Sequence, residues 1–250
     1  MSPTPEIYTF PSTDAISSAL DHFLTHESAK AIAHRGKFTI SLSGGSLPKV
    51  LGAEIKANKY IDWSKWHVFF ADERCVPLDH EDSNYLLAKE NLLDHVPIPK
   101  DQVYTIDPKL VKDPEAAAKA YQKVLAAVFG SETDIPSLDV NLLGLGPDGH
   151  CCSLFPGHPL LGVTDRWVAA IHDSPKPPKE RITLTFPVVN EARINLFVAN
   201  GEGKAEVLHK VLDKKEDLPS GRVTGKERLI WFLDASAAKH VTSKAQTYKL

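Results

Sequence analysis

Residues 38–48 of the chain read FTISLSGGSLP, an apolar run that passes through a glycine turn to a proline suited to a helix start. Such a run predicts a buried strand that leads into a helix, the repeating unit of a parallel sheet. The runs WHVFFA at 66–71 and DVNLLG at 139–144 predict two more buried strands. The chain is therefore expected to have an α/β fold with a mainly parallel sheet.

Signals for the ends of helices divide the rest of the chain. Asp113 and Pro114 are a cap and first-turn pair, and Gly36 and Gly130 are suited to ending helices. Predicted helices cover residues 13–34, 83–93, 114–129 and 203–214, and later strands cover 167–171, 182–186, 193–199 and 228–233. Residues 1–250 are expected to form a single domain, with a loose C-terminal tail of about ten residues.

Composition and charge narrow the class of protein. The 250 residues are 42% hydrophobic and 24% charged, with a formal net charge of -3 and no long basic run, which argues against nucleic acid and membrane surfaces as partners. No apolar run approaches the roughly 18 residues of a membrane span, and residues 1–10 lack the pattern of a signal peptide. Three cysteines without a CxxC pair favour reduced thiols. We expect a monomeric, cytoplasmic protein.

Three polar clusters lie directly after predicted strands. They are the segment Ser43-Gly44-Gly45-Ser46, the triplet Asp72-Glu73-Arg74 and the loop from Gly144 to His150. Ligands of open α/β sheets bind at the carboxyl ends of the strands, so the three clusters are expected to converge on one crevice. This convergence favours a binding or catalytic role for them.

The first cluster is suited to an anion. Its two glycines let the backbone approach a ligand, and Ser46 is expected to cap the helix that begins near Leu47 and Pro48. Free N–H groups at a helix start bind anions, which suits a phosphate. The sequence lacks the GxxxxGK[ST] pattern of a Walker loop. An ordinary strand-to-helix turn is the alternative.

The loop GLGPDGH, which ends at His150, formally contains the dinucleotide fingerprint GxGxxG. Pro147 interrupts that pattern, and Asp165 stands before the next strand instead of at its end, so a nicotinamide cofactor is disfavoured. The loop instead favours a pair in which Asp148 orients His150 as a general base. An isolated histidine is more often structural or exposed, and His158 is expected to cap a helix or fill a loop.

His150 is followed by Cys151 and Cys152, which raises two further hypotheses. Consecutive residues rarely fold around one tetrahedral ion, so a metal site is disfavoured. A Cys152 nucleophile with His150 as its base is the second hypothesis. Buried thiols that pack under the loop are favoured over both.

Several basic side chains accompany these clusters. Arg74 either joins a surface ion-pair cluster or binds a phosphate or a developing oxyanion with its guanidinium fork. Lys204 stands at a predicted helix start, where the helix dipole disfavours a cation, which indicates either a function or simple solvent exposure. Lys176, Lys179 and Arg181 add positive charge around a proline-rich loop.

Seven segments form an ordered set: SLSGGSLPKVL at 41–51, FFADERCVP at 69–77, HEDSNY at 80–85, LLGLGPDGHCCSLFPGHPLL at 142–161, ERITLTFPVVNEAR at 180–193, VANGEGKAEVL at 198–208 and RLIWFLDASAA at 228–238. Together they resemble the 6-phosphogluconolactonase family of the pentose phosphate pathway. Each segment alone has only modest specificity for a family, but the ordered set is highly specific and spans nearly the whole chain. The resemblance implies a Rossmann-like α/β fold with helices on both faces of the sheet, and neither a metal nor an organic cofactor.

The resemblance also implies an activity, the hydrolysis of a phosphorylated sugar lactone, 6-phospho-D-glucono-1,5-lactone, to 6-phospho-D-gluconate. It implies that His150 is the general base, Asp148 its partner and Arg74 an electrostatic stabiliser. The residues implied around the substrate are Ser43, Gly44, Gly45, Ser46, Asp72, Arg181 and Lys204. The chain departs from the family pattern at the two cysteines after His150 and in the segment before Lys204.

Two other functions fit parts of the pattern. A glucosamine-6-phosphate deaminase–isomerase of the same superfamily resembles the chain at the SGGS and DGH segments. Such enzymes usually carry Asp-Glu-Tyr and Asn-Glu-Pro motifs, where this chain has Asp-Glu-Arg at 72–74 and Ser-Leu-Phe-Pro at 153–156. A non-enzymatic sugar-phosphate sensor would normally add a DNA-binding module. The roughly 37 residues before the first quoted strand offer only one helix, too little for a helix-turn-helix module.

Overall fold

The computed structural model describes residues 3–249, which form two sheets. The strands are β1 (Glu6–Phe10), β2 (Phe38–Leu42), β3 (Trp66–Phe70), β4 (Asp72–Arg74), β5 (Val140–Leu143), β6 (Val168–Ile171), β7 (Arg181–Leu184), β8 (Ile194–Ala199) and β9 (Arg228–Asp234). The larger sheet has six strands in the order β1-β9-β8-β5-β2-β3, and all its neighbours pair in parallel. The prediction of a mainly parallel sheet is confirmed.

Helices connect these strands. They are α1 (Thr13–Arg35), α2 (Leu47–Ile55), α3 (Asn84–Ala88), α4 (Pro114–Phe129), α5 (Phe186–Glu191) and α6 (Ala205–Leu208). Ser83, at the predicted start of its helix, and the predicted cap Asp113 each accept a hydrogen bond from the amide three residues further on. The α-helical parts of α3 and α6 are shorter than predicted, because π-helical turns at Lys89–Leu93 and His209–Asp213 continue them. Within residues 3–249, no helix is both long and apolar enough to cross a membrane.

A hydrophobic core lies on each face of the larger sheet. In β9, Ile230 and Phe232 pack in the core that α1 and α2 cover, whereas Trp231 and Leu233 pack in the core that α4, α5 and α6 cover. Successive side chains of a strand point to opposite faces, so a strand buried on both faces is predominantly apolar. This explains the continuous apolar runs of the sequence and confirms helices on both faces.

The smaller sheet is antiparallel, with the order β4-β7-β6. The sequence predicts β6 and β7 as strands but does not separate them from the parallel sheet, and it does not predict β4. In this sheet Asp72 pairs with Thr183, and Arg74 pairs with Arg181. The smaller sheet therefore brings three of the predicted site residues together.

Strand β1 and the C-terminal residues share one edge of the larger sheet. The sequence misses β1 because only Ile7 and Phe10 are buried in it, so its residues form no continuous apolar run. The amide of Gln246 donates to the carbonyl of Ile7 at 2.7 Å. The ring of Tyr248 packs edge-on against Tyr8 and Phe232, with centroids 5.3 and 5.1 Å away. The residues expected to form a loose tail therefore contact the sheet as far as Tyr248.

Candidate active site

A cavity of about 210 Å³ opens where β2, β5 and β8 end and where β4 and β7 lie against them. The predicted site residues that line it are Ser43, Gly44, Gly45, Ser46, Asp72, Arg74, His150, Arg181 and Lys204. Asp148 completes the predicted set through its contact with the ring of His150. The three polar clusters thus converge at strand ends, the usual place for a ligand of an open α/β sheet. Their individual roles toward a substrate stay predictions.

His150 and Asp148 form a hydrogen-bonded pair at this cavity. Nδ1 of His150 lies 2.5 Å from Oδ1 of Asp148, and the ring of Phe155 packs against the imidazole with centroids 4.6 Å apart. Burial lowers the pKa of His150 below its ordinary value, against the opposing effect of the Asp148 carboxylate. The imidazole is therefore neutral at neutral pH. Within residues 3–249 no group hydrogen-bonds to its Nε2, which leaves that nitrogen to accept a proton.

Asp148 stays ionised in this setting. Partial burial raises its pKa, but the hydrogen bond from His150 and the charge of Lys176 outweigh burial, so the pKa of Asp148 lies below its ordinary value. The Nζ atom of Lys176 is 3.5 Å from Oδ1 of Asp148 and 3.5 Å from Nδ1 of His150. An ionised Asp148 fixes the tautomer of His150 with the proton on Nδ1.

Two backbone hydrogen bonds shape the loop that carries this pair. The amide of Gly146 donates to the carbonyl of His150 at 2.8 Å, and the amide of Gly149 donates to the carbonyl of Gly146 at 3.0 Å. The loop therefore closes on itself directly after β5 and turns the side chains of Asp148 and His150 toward each other.

Arg181 holds the proline-rich loop beside the cavity. It is 3% exposed, and its guanidinium donates to the carbonyls of Lys176 (2.9 Å), Pro177 (3.2 Å) and Pro178 (2.9 Å) and to Oγ of Ser153 (3.3 Å). These bonds use four of the five N–H donors of an arginine. Any substrate contact of Arg181 therefore depends on the one remaining N–H.

The residues of β4 alternate between the cavity and the start of α3. Asp72 and Arg74 line the cavity, whereas the carboxylate of Glu73 accepts from the amides of Asn84 and Tyr85 at 2.8 Å each. Burial raises the pKa of Glu73 to about 7. The two-residue period of a strand thus turns Asp72 and Arg74 toward a ligand and gives Glu73 a role in capping α3.

Arg74 and Asp72 are held by neighbouring polar groups. Nη1 of Arg74 donates to the carbonyl of Asp82 at 2.6 Å, and Nε of Arg74 is buried without a partner among the described residues. Oδ2 of Asp72 accepts from Oγ of Ser153 at 2.8 Å. The surface ion-pair cluster that was the alternative for Arg74 does not form, because the neighbouring Glu73 points to α3.

The SGGS segment passes from β2 into α2 as predicted, but one expectation for it is wrong. Ser46 makes no side-chain capping bond to α2, because its Oγ donates to Oδ1 of Asn200 at 3.0 Å instead. Gly44 packs against Asn84 so closely that a β-carbon on Gly44 would lie 2.0 Å from Oδ1 of Asn84. The absence of a side chain at Gly44 therefore keeps the cavity wall in place.

Lys204 reaches back to the loop of His150. Its Nζ donates to the carbonyl of Leu145 at 2.7 Å, and burial lowers the pKa of Lys204, as does the charge of Lys176. Simple solvent exposure, which was the alternative for Lys204, does not describe this half-buried ammonium. Two of its three N–H donors face away from Leu145 and suit an anion.

The two cysteines after His150 are buried thiols, as favoured by the sequence. The hydrogen bond with Cys151 and burial raise the pKa of Cys152 well above its ordinary value, so Cys152 is not a thiolate nucleophile. Across residues 3–249 no group of three His, Cys, Asp or Glu side chains is arranged to hold a metal ion. His158 caps a turn by accepting from the amide of Leu160 at 3.1 Å, as expected.

Sequence reasoning missed three polar residues of the site and gave a fourth, Lys176, no role beyond its positive charge. Lys176 contacts the His150–Asp148 pair, and Ser153 bridges Asp72 and Arg181. Asn84 donates to the backbone carbonyl of Asp72, and Asn200 accepts from Ser46. A usable signal existed for Asn200, because it directly follows β8 and so shares the strand-end position of the three clusters.

Comparisons with known proteins show which family the chain belongs to. The family model described as glucosamine-6-phosphate isomerases/6-phosphogluconolactonase matches residues 11–231. The 6-phosphogluconolactonase of Homo sapiens is 45% identical over 246 residues, which cover 94% of this chain and 93% of that protein. A probable 6-phosphogluconolactonase of Schizosaccharomyces pombe is 44% identical over 245 residues, which cover 94% and 95%.

The similarity extends to a solved structure. The 6-phosphogluconolactonase from Trypanosoma cruzi superposes with a TM-score of 0.85 at 30% identity, over 97% of this chain and 98% of that one. The family model covers most of the chain, and the curated relatives match it over nearly their full length. On this evidence the chain belongs to the glucosamine-6-phosphate isomerase/6-phosphogluconolactonase family.

Proposed function

We propose that this chain hydrolyses 6-phospho-D-glucono-1,5-lactone to 6-phospho-D-gluconate, the second step of the oxidative pentose phosphate pathway. The observation that carries the proposal is the His150–Asp148 pair, in which Asp148 holds Nδ1 at 2.5 Å and no described residue hydrogen-bonds to Nε2. Burial lowers the pKa of His150, which favours the neutral base. A δ-lactone is an activated ester, so its hydrolysis needs only a base for water and a stabiliser for the carbonyl oxygen. The names and the near-complete coverage of the relatives favour the same reaction.

In the proposed reaction, Nε2 of His150 takes a proton from water while the water oxygen forms a bond to the lactone carbonyl carbon. The tetrahedral oxyanion then collapses, and the bond between that carbon and the ring oxygen breaks. The imidazolium returns its proton to the departing ring oxygen, which becomes a hydroxyl group. The ionised Asp148 stabilises the imidazolium during the step.

Arg74 is the proposed stabiliser of the oxyanion. The carbonyl of Asp82 anchors Nη1 at 2.6 Å, while the rest of the guanidinium group borders the cavity. A donor that is fixed before the reaction does not have to reorganise as negative charge develops. This is the advantage of an anchored arginine over a mobile one.

The phosphate is proposed to bind at the SGGS segment and Lys204. Backbone N–H groups between β2 and α2 suit a phosphate, and the half-buried ammonium of Lys204 adds a charge-assisted donor. The cavity has four cationic side chains, Arg74, Lys176, Arg181 and Lys204, within it or at its rim. Such an excess of positive charge favours an anionic substrate.

The deaminase–isomerase alternative is less well supported. That reaction moves protons on carbon, oxygen and nitrogen and therefore needs several acid–base groups. Asp72 is the one carboxylate among the described residues that line the cavity. Arg74 stands where such enzymes usually carry tyrosine, and the apolar Phe155 packs under His150. A sugar-phosphate sensor would bind the ligand without turnover.

We propose a cytoplasmic location and a monomeric state. Free thiols at Cys75, Cys151 and Cys152 favour a reducing compartment. Among the described residues, the large apolar side chains that are exposed are Tyr60 and Ile135, which form no extended apolar patch for a second copy. Light scattering on the purified chain tests the monomer, since a dimer would double the mass.

The activity is tested by hydrolysis of freshly prepared 6-phosphoglucono-1,5-lactone. Because this lactone also hydrolyses spontaneously, the rate must be compared with the same solution without protein. The proposal predicts a rate that rises in proportion to the amount of the chain. Tight binding of the lactone without any added rate would instead support the sensor.

A further inference from the structure

Lys176 contacts both members of the His150–Asp148 pair from a different segment of the chain. Its Nζ lies 3.5 Å from Oδ1 of Asp148 and 3.5 Å from Nδ1 of His150. The same Oδ1 atom lies 2.5 Å from Nδ1 of His150. One carboxylate oxygen is therefore shared between a histidine N–H and a lysine ammonium.

The backbone of Lys176 is held by two buried side chains. Nη2 of Arg181 donates to its carbonyl at 2.9 Å, and Oγ of Ser174 donates to the same carbonyl at 2.8 Å. The amide of Lys176 donates back to Oγ of Ser174 at 3.3 Å. Arg181 and Ser174 are each 3% exposed. These bonds fix the backbone from which the Lys176 side chain extends toward the pair.

A carboxylate beside a general base creates a conflict. Asp148 orients the imidazole, but its negative charge also favours the imidazolium and so raises the pKa of His150. Asp72 acts in the same direction, whereas burial and Lys176 lower that pKa. The nearby Lys204 is a further cation of this cluster. Lys176 is the cation in direct contact with the pair.

We propose that Lys176 is a positioning residue for the catalytic pair. It fixes Oδ1 of Asp148 and offsets the charge of that carboxylate, so that Asp148 orients His150 while the imidazole stays neutral at neutral pH. The inference rests on the proposed function, because it gives His150 the role of a general base. Lys176 acts through Asp148 and His150, and the binding of the phosphate is left to other groups.

The test is the pH profile of kcat/KM for the phosphorylated lactone, with the spontaneous rate subtracted. Replacing Lys176 by methionine removes the charge and keeps a long apolar side chain. The acid limb should move upward by about 0.5–1 pH unit, as expected for the loss of a partly screened charge at this distance. Well below the acid limb of both proteins this predicts a loss that approaches about three- to tenfold, with most of the activity regained at higher pH.

Two further variants serve as controls. Lys176→Arg retains the charge and should leave the acid limb in place. Lys179→Met removes the same charge from an exposed position of the same loop and should leave the whole profile unchanged. Lys176→Gln, with its thermal transition measured beside the wild type, provides a second neutral side chain should the methionine variant fold poorly. NMR titration of the His150 ring protons measures the same pKa shift without an activity assay.

A Lys176→Met profile that is lowered equally at every pH, with no shift of the His150 titration, would overturn the inference. A rise in KM for the phosphorylated lactone alone would also overturn it, since Lys176 would then bind substrate. If the wild-type chain does not exceed the spontaneous rate, the proposed function fails and this inference fails with it. If the wild-type chain is active and the acid limb of Lys176→Met is not shifted, this inference fails while the proposed function stands.

Discussion

A β-carbon on Gly146 would lie 2.0 Å from Nδ1 of His150 and 2.7 Å from Oδ1 of Asp148. The hydrogen bond of the proposed catalytic pair therefore occupies the space that any larger residue at position 146 would need. Gly146 has no unusual backbone angle among the described residues, so close approach is the reason for a glycine here.

Gly146→Ala should accordingly lower kcat/KM for the phosphorylated lactone by about 10²-fold, the usual cost of displacing a catalytic group by an ångström. The added methyl group must push His150 away from Asp148. Gly162→Ala is the matched control, because a β-carbon at Gly162 meets nothing within 4 Å. Equal activity of the two variants would show that the pair tolerates the displacement.

The activity should depend on pH through His150. Since burial lowers the pKa of His150 from its ordinary value of 6.5, the base is unprotonated at neutral pH and is lost as the pH falls through that lowered value. The acid limb of kcat/KM should therefore lie below pH 6.5, with a plateau near pH 7. Rates corrected for spontaneous hydrolysis between about pH 5 and 8 would show this. A limb centred well above 6.5 would contradict a neutral His150.

Activity should be independent of metal ions. The Nδ1 atom of His150 is engaged by Asp148, both neighbouring cysteines are buried, and the raised pKa of Cys152 keeps it a thiol, so this segment is a poor set of ligands. The measurement is kcat/KM before and after treatment with a chelator. Loss of activity that zinc specifically restores would contradict this expectation.

Lys204 is expected to bind the phosphate group of the substrate. Lys204→Ala should lower kcat/KM for the phosphorylated lactone by about 10- to 150-fold, the loss of one charge-assisted hydrogen bond of about 1.5–3 kcal/mol. Because Nζ also holds the carbonyl of Leu145, part of the loss will fall on unphosphorylated gluconolactone as well.

The phosphate-specific part of that loss comes from measuring both lactones with both proteins. The ratio of the two losses removes the shared contribution of the Leu145 contact. Equal losses on the two lactones would assign Lys204 to the support of the His150 loop alone.

The strands with continuous apolar runs were predictable from the sequence. Both faces of β2, β3 and β5 are largely buried, so most of their residues carry the signal. The edge strand β1 lacks this signal because only Ile7 and Phe10 are buried in it. The smaller sheet could not be separated from the larger one from sequence. Its strand β4 pairs with β7 across a long stretch of chain, and a short apolar run does not indicate which strand it pairs with.

In the site, too, contacts within one segment were predictable, whereas contacts between distant segments were not. Asp148 and His150 are two residues apart in a glycine loop, so local sequence was enough to pair them. Lys176 meets them only because Arg181 and Ser174 fix its loop, which no local pattern reveals. The cap predicted at Ser46 fails for a similar reason, because its hydroxyl bonds to Asn200 in a distant segment.

The most direct test of the account compares the wild-type chain with His150→Asn in the hydrolysis of freshly prepared 6-phosphoglucono-1,5-lactone. The account predicts that the variant keeps the thermal transition of the wild type and loses about 10²–10⁴-fold in the catalysed rate, the contribution of a positioned acid–base group. Asparagine retains a polar side chain of similar reach but cannot accept the proton of water at neutral pH. A folded His150→Asn variant that hydrolyses the lactone at nearly the wild-type rate would contradict the account.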